Sequence, residues 1–152
     1  MARVSTYLNF PGTTEAAFAL YQQVFGTEYE VAPMRFDSMP AQPGQPEMSA
    51  ADQQKILHVA LPILGGHVIM GTDVLEGAGC GKFEPGNQVT LNLEPDSRAE
   101  AERLYAALSE GGQADCPMAD MFWGAYWGVL QDRFGLRWMI NVDHAKDPAP
   151  QP

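Results

Sequence analysis

Basic charge is scarce in this chain. Nine Lys and Arg stand against nineteen Asp and Glu, a net charge of −10 over 152 residues. A nucleic-acid or anionic-membrane partner needs a basic face to neutralise phosphate, so neither is expected. Cysteine is scarce too: Cys80 and Cys116 make neither a disulfide framework nor a zinc motif. No apolar run approaches the ~20 residues that span a bilayer. The opening MARVSTYLNF has one Arg and no long apolar stretch, so no secretory signal is read there. These absences describe a reduced, cytoplasmic protein. A P-loop, a dinucleotide fingerprint and a Ser-His-Asp spacing are also missing.

What is present is 45% hydrophobic residues with only 18% charged, enough apolar surface for one compact domain. The segment from Ile56 to Met70 (ILHVALPILGGHVIM) aligns without a gap to that from Ala125 to Met139 (AYWGVLQDRFGLRWM). Gly66 falls against Gly135 and Met70 against Met139. Each segment reads as strand, Gly-bearing turn and strand. Upstream, Leu8-Asn9-Phe10 pairs with Leu91-Asn92-Leu93. The apolar stripe Ala17, Leu20, Tyr21, Val24 recurs as Ala101, Leu104, Tyr105, Leu108, giving one amphipathic helix per half. Ser97 and Glu100 form a capping box, while Gly26 and Gly111-Gly112 mark the helix stops.

One further strand fits between each helix and its hairpin, at Glu28 to Phe36 and at Ala114 to Phe122. Each half therefore reads β-α-β-β-β, module one over about 2–73 and module two over about 87–143. The expected architecture is α+β: two tandem βαβββ modules whose curved mixed sheets enclose a trough, one domain over 1–145 with a disordered tail at 146–152. Residues 37–54, rich in Pro, Gln, Ser and Met, read as a surface loop that could serve as a lid. A Gly-rich linker, 73–86, joins the halves.

This order of modules resembles the vicinal oxygen chelate superfamily, which includes glyoxalase I, fosfomycin-resistance proteins and extradiol dioxygenases. The similarity is greatest to its PhnB-like branch, often labelled demethylubiquinone methyltransferase-like. It is carried by Tyr7-Leu8-Asn9-Phe10, by Leu20 to Gly26 (LYQQVFG), by Ile56-Leu57-His58-Val59, by Phe122-Trp123-Gly124 and by Gly128 to Asn141 (GVLQDRFGLRWMIN). It covers roughly residues 3–143, and the C-terminal stretch is its specific part. No glycine-rich strand–helix segment suits S-adenosylmethionine, and methyl transfer is not expected.

The resemblance implies one divalent metal in the trough, held by His, Glu or Gln from the first and last strands of each module. The corresponding positions here fall at Ser5 or Thr6, Gln88 or Val89, Met70 and Met139. Thioethers suit Mg, Mn, Zn or Fe(II) poorly, so no metal ligand is assigned and no cofactor is expected. His58 lies in a strand and matches Trp127 in the repeat; it reads either as a hydrogen-bonded sheet histidine or as a catalytic base. His67 is placed at the turn, as a possible cross-strand neighbour of His58, and His144 in the tail. Phe122 to Gly128 is the densest aromatic run, and strand alternation would send Trp123, Ala125 and Trp127 to one face. Asp73 and Asp143 read as loop carboxylates, and Asp132 to Gly135 as a structural turn.

The leading expectation is a cytoplasmic, metal-free small-molecule-binding protein, often homodimeric in its relatives. Tyr7, Asn9, Met70, Trp123, Trp127 and Met139 would line the pocket beside His58. Two alternatives stay open: a metal-dependent lyase, isomerase or dioxygenase acting on vicinal oxygens, and a non-catalytic drug-binding or sequestering protein.

Overall fold

The structure, a computed structural model, describes residues 1–77 and 81–150; Cys80 and the last two residues of the expected tail lie outside them. The chain divides into two units, Met1–Glu84 and Pro85–Pro152. Each carries one four-stranded mixed sheet and one long helix, and the two share one topology. The α+β class and the repeated βαβββ order are as the sequence predicts.

In the first unit β1 (Thr6–Phe10) leads into α1 (Thr14–Phe25), followed by β2 (Val31–Arg35), a four-residue helix α2 (Ala50–Gln53), β3 (Ile56–Pro62) and β4 (Val68–Asp73). The sheet order is β1-β4-β3-β2, with β1 and β4 parallel and the rest antiparallel. The helix stripe read from the sequence, Ala17, Leu20, Tyr21 and Val24, is buried, and Thr14 and Phe18 are buried with it. Gly26 ends the helix in the left-handed conformation, its N–H donating to Gln22 O at 2.9 Å.

Thr13 offers no side-chain cap to α1. Asp73 supplies one instead. It is 4% exposed, contrary to its reading as a loop carboxylate. Its Oδ1 accepts from the Thr14 N–H (3.0 Å) and hydroxyl (2.6 Å), and its Oδ2 from the Ile56 N–H (2.8 Å). A buried carboxylate at a helix start satisfies free N–H groups and is favoured by the helix dipole.

The second unit runs β5 (Leu91–Leu93), α3 (Arg98–Ser109), β6 (Gln113–Met121), β7 (Ala125–Gln131) and β8 (Arg137–Asp143), in sheet order β5-β8-β7-β6. The capping box at its helix is half made. Ser97 Oγ accepts from the Glu100 N–H, but the Glu100 carboxylate turns to Arg103. The Arg98 N–H donates to Asp147 Oδ2 at 2.7 Å, so the segment after β8 caps the helix. In the last hairpin Asp132 is 3% exposed. Its Oδ1 takes the N–H groups of Phe134 and Leu136, and its Oδ2 takes the Trp138 indole N–H at 2.9 Å. Residues 37–54 are mostly exposed and hold α2. Among the described residues no helix is long and apolar enough to cross a membrane.

Candidate functional site

The pleat decides which residues each sheet presents away from its helix. In the first unit a Cβ built on Gly71 would lie 2.5 Å from Phe18 and 3.2 Å from Thr14 of α1. Gly71 and its ladder partners Leu8 and Val59 therefore face the helix. The next rung, Tyr7, Met70 and Ala60, points the other way, and alternation adds Asn9, Thr72, His58 and Met34. Four of the predicted pocket residues, Tyr7, Asn9, His58 and Met70, thus share one helix-free face.

The contact at its centre is between Tyr7 and His58. The Tyr7 hydroxyl lies 3.2 Å from His58 Nδ1, and the rings are near parallel with centroids 5.8 Å apart. Tyr7 remains 47% exposed. Partial burial pushes its phenol pKa up, while a hydrogen bond with Thr72 works in the opposite direction. The Thr72 hydroxyl lies 3.2 Å from Ile56 O. Met34 stands across the ladder from His58. His67 is not a cross-strand neighbour of His58: it is half-buried, and its Nε2 bonds the Thr6 hydroxyl at 2.9 Å on the opposite phase of the sheet.

The second sheet repeats this logic. A Cβ on Gly128 would lie 3.0 Å from Tyr105 of α3 and 2.7 Å from Met118, so Gly128, Ile140 and Leu93 face the helix. Asn92, Met139, Val129 and Cys116 lie on one rung of the other face, with Trp127 and Asn141 on the neighbouring rung. Phe122-Trp123-Gly124 is the β6–β7 turn rather than strand, so the expected alternation stops at Ala125. Trp123 reaches Trp127 from the turn, edge to face at 5.7 Å. Phe122 is almost fully exposed. Tyr126 points to the helix side, beneath the Arg98 guanidinium and bonded to Glu102. His144, placed in the tail from sequence, bonds Asp120 at 2.8 Å.

Comparison with known proteins agrees with this architecture. A family model described as 3-demethylubiquinone-9 3-methyltransferase matches residues 2–141. The chain belongs to this PhnB-like family. It is similar to PA1353 from Pseudomonas aeruginosa, at 34% identity and a TM-score of 0.79, over 94% of this chain and 98% of that one. A protein from Bacillus cereus described as a putative 3-demethylubiquinone-9 3-methyltransferase, PhnB protein, aligns at 22% identity and a TM-score of 0.69, over 93% and 99%. Likeness of fold alone extends to a fosfomycin resistance protein, FosX, of Listeria monocytogenes, at 9% identity and a TM-score of 0.61, over 98% of both chains. The fold is thus the glyoxalase-like one that the sequence resemblance implies.

For this PhnB-like chain the metal positions that the resemblance implies can be read from the ladders. Met70 pairs with Tyr7, and Met139 pairs with Asn92. The first-strand positions are therefore Tyr7 and Asn92; Gln88 and Val89 precede β5. The sequence pairing of Leu8-Asn9-Phe10 with Leu91-Asn92-Leu93 slips by two residues, whereas that of the hairpins holds, since Ala60 pairs with Met70 as Val129 does with Met139. Neither pair, a thioether with a phenol or a thioether with an amide, fits a hard divalent ion. Among the described residues no three His, Cys, Asp or Glu side chains come together as a metal cluster. Thr72 was missed from sequence, whereas Asn141 was weighed there as an inward-facing amide. They match each other in the repeat, two residues beyond Met70 and Met139, and that period of two was the available signal.

Proposed function

We propose that this PhnB-like protein binds a small organic molecule on the helix-free faces of its sheets, without the superfamily's hard divalent metal. One observation carries the reading: the exposed Tyr7 ring stacked on His58, in hydrogen-bond contact with it, beside Met70, Thr72 and Asn9. Aromatic and thioether surface with a few placed polar groups is the composition of small-molecule sites. Trp127, Met139 and Asn92 give the second sheet a similar surface, and Trp123 extends it from the turn. His58 is the one imidazole on its face among the described residues and so the candidate base for any proton transfer there.

Thermal denaturation of untagged protein tests this, with Ni, Zn, Mn and Fe(II) in one series and a panel of phenols, quinones and 2-oxo acids in another. The expected result is no metal-dependent rise in Tm, and a rise with one organic class that Tyr7→Ala abolishes. A ligand at a hundred times its Kd stabilises by about 2.7 kcal/mol. Stoichiometric metal that raises Tm would instead favour a metal-dependent lyase, isomerase or dioxygenase. Where a ligand is found, turnover that His58→Gln removes while binding stays separates an enzyme from a sequestering protein. The reading carries with it a cytoplasmic homodimer, which light scattering tests for its subunit count.

A further inference from the structure

The contact between Tyr7 and His58 bears on the kind of molecule the first sheet takes, and the step rests on the reading of that face as a binding surface. A neutral imidazole has one N–H donor and one bare acceptor nitrogen, and the bond made at one nitrogen decides the role of the other. The Tyr7 hydroxyl meets His58 at Nδ1, 3.2 Å away. A phenol is the strongest O–H donor on this face, and a bare imidazole nitrogen its strongest acceptor. The favoured order is therefore Tyr7 O–H donating to Nδ1, which leaves the proton of the ring on Nε2. The near-parallel stack, 24° between planes, holds the imidazole plane against the phenol ring.

We infer that Tyr7 locks His58 as the Nε2–H tautomer, making this face a receptor for planar molecules that present an acceptor oxygen, such as a phenolate, an enolate or a ketone. Tyr7 is a positioning residue in this arrangement, acting through His58. Asn9, Met34, Ala60, Met70 and Thr72, the strand positions around the pair, carry no carboxylate to repel such an oxygen. The Nε2–H has no partner among the described residues, and the Tyr7 ring is exposed enough to stack on a flat ligand. A planar cation or N–H donor would meet the imidazole donor head-on and be rejected.

Long-range ¹H–¹⁵N correlation on uniformly labelled full-length protein at neutral pH reads the tautomer directly, with His58 assigned by the signals lost in His58→Gln. The expected pattern is a bare Nδ1 and a protonated Nε2. Tyr7→Phe, which keeps the ring, should return His58 to a mixture of tautomers without disturbing the backbone spectrum. Titration with 4-nitrophenolate should shift His58 Nε2, and Tyr7→Phe should weaken that binding about tenfold, which is about 1.4 kcal/mol. A protonated Nδ1 in the native protein, or an unchanged tautomer in Tyr7→Phe, would overturn the lock. Perturbation by benzamidine, a planar cation, but not by 4-nitrophenolate would overturn the ligand polarity while leaving small-molecule binding in place. If neither probe perturbs His58 while the tautomer is as expected, the ligand assignment fails, and so does the reading of this face as the site.

Discussion

Asp73 gathers three donors from two elements, the N–H and hydroxyl of Thr14 at the start of α1 and the N–H of Ile56 at the start of β3. Replacing it with Ala leaves those donors buried without an acceptor, at a cost of about 1–3 kcal/mol for each group so stranded. Asp73→Ala should therefore lower the urea midpoint by more than a typical surface change, with circular dichroism showing whether α1 frays first. Asp132 does comparable work in the second unit for two backbone N–H groups and the Trp138 indole. Asp132→Ala is expected to destabilise by about 2–4 kcal/mol, and the fluorescence of Trp138, fully buried in the native protein, reports it. Sequence foresaw the turn at Asp132, because Asx turns are local. It misread Asp73, because nothing local distinguishes a carboxylate that ends a strand in solvent from one that ends beneath a helix.

Each helix seats itself over a glycine in the sheet. In the first unit the rung pairs Val59 with Gly71, and Phe18 of α1 fills the space above the glycine. In the second unit the matching rung pairs Gly128 with Ile140, and Tyr105 of α3 fills the space. The glycine has changed strand, but the rung still carries one large and one missing side chain, which keeps the volume under the helix comparable. Tyr105 then reaches past Gly128 to donate to the carbonyls of Cys116 and Val129. Gly71→Ala and Gly128→Ala should each overpack the helix–sheet seam and cost about 1–3 kcal/mol. The Gly128 variant is expected to be the worse, since its new methyl meets a backbone carbonyl, Cys116 O, at 3.0 Å, while the Gly71 methyl meets the far edge of a Phe ring. Thermal denaturation of the two variants side by side checks the order. The hairpins and helices at this scale were legible from period and turn chemistry. The slip of β1 against β5 was not, because pairing across a parallel crossover has no turn to set its register.

Most of the few cations pair with a carboxylate: Arg3, Arg35, Lys55, Arg98, Arg103, Arg137 and Lys146. Such pairs contribute little individually where exposed, but they shape the response to pH. The Arg98 guanidinium holds the Asp120 carboxyl below its ordinary range. Its folded-state pKa is depressed, so the contribution is present above the ordinary value and is lost as pH falls through the folded one. At the other end, the Glu102 carboxylate and partial burial push the Tyr126 phenol from 10.0 up to about 12. A raised pKa gives stability that is full below pH 10.0 and drains as pH rises to about 12. Phenolate absorbance should show one late-titrating tyrosine, absent from Tyr126→Phe; a variant titrating identically would refute the assignment. Composition, the repeat and its periodicities determined by themselves the α+β class, the paired βαβββ order and the helix stripes, because the side-chain periods of helix and strand and the chemistry of turns and caps are local along the chain. Only the tertiary structure decided that Tyr7 meets His58, that Asp73 caps α1 and that Trp123 leans on Trp127 from a turn. Each of those depends on register between segments distant in sequence, where a shift of one residue sends every side chain to the other face.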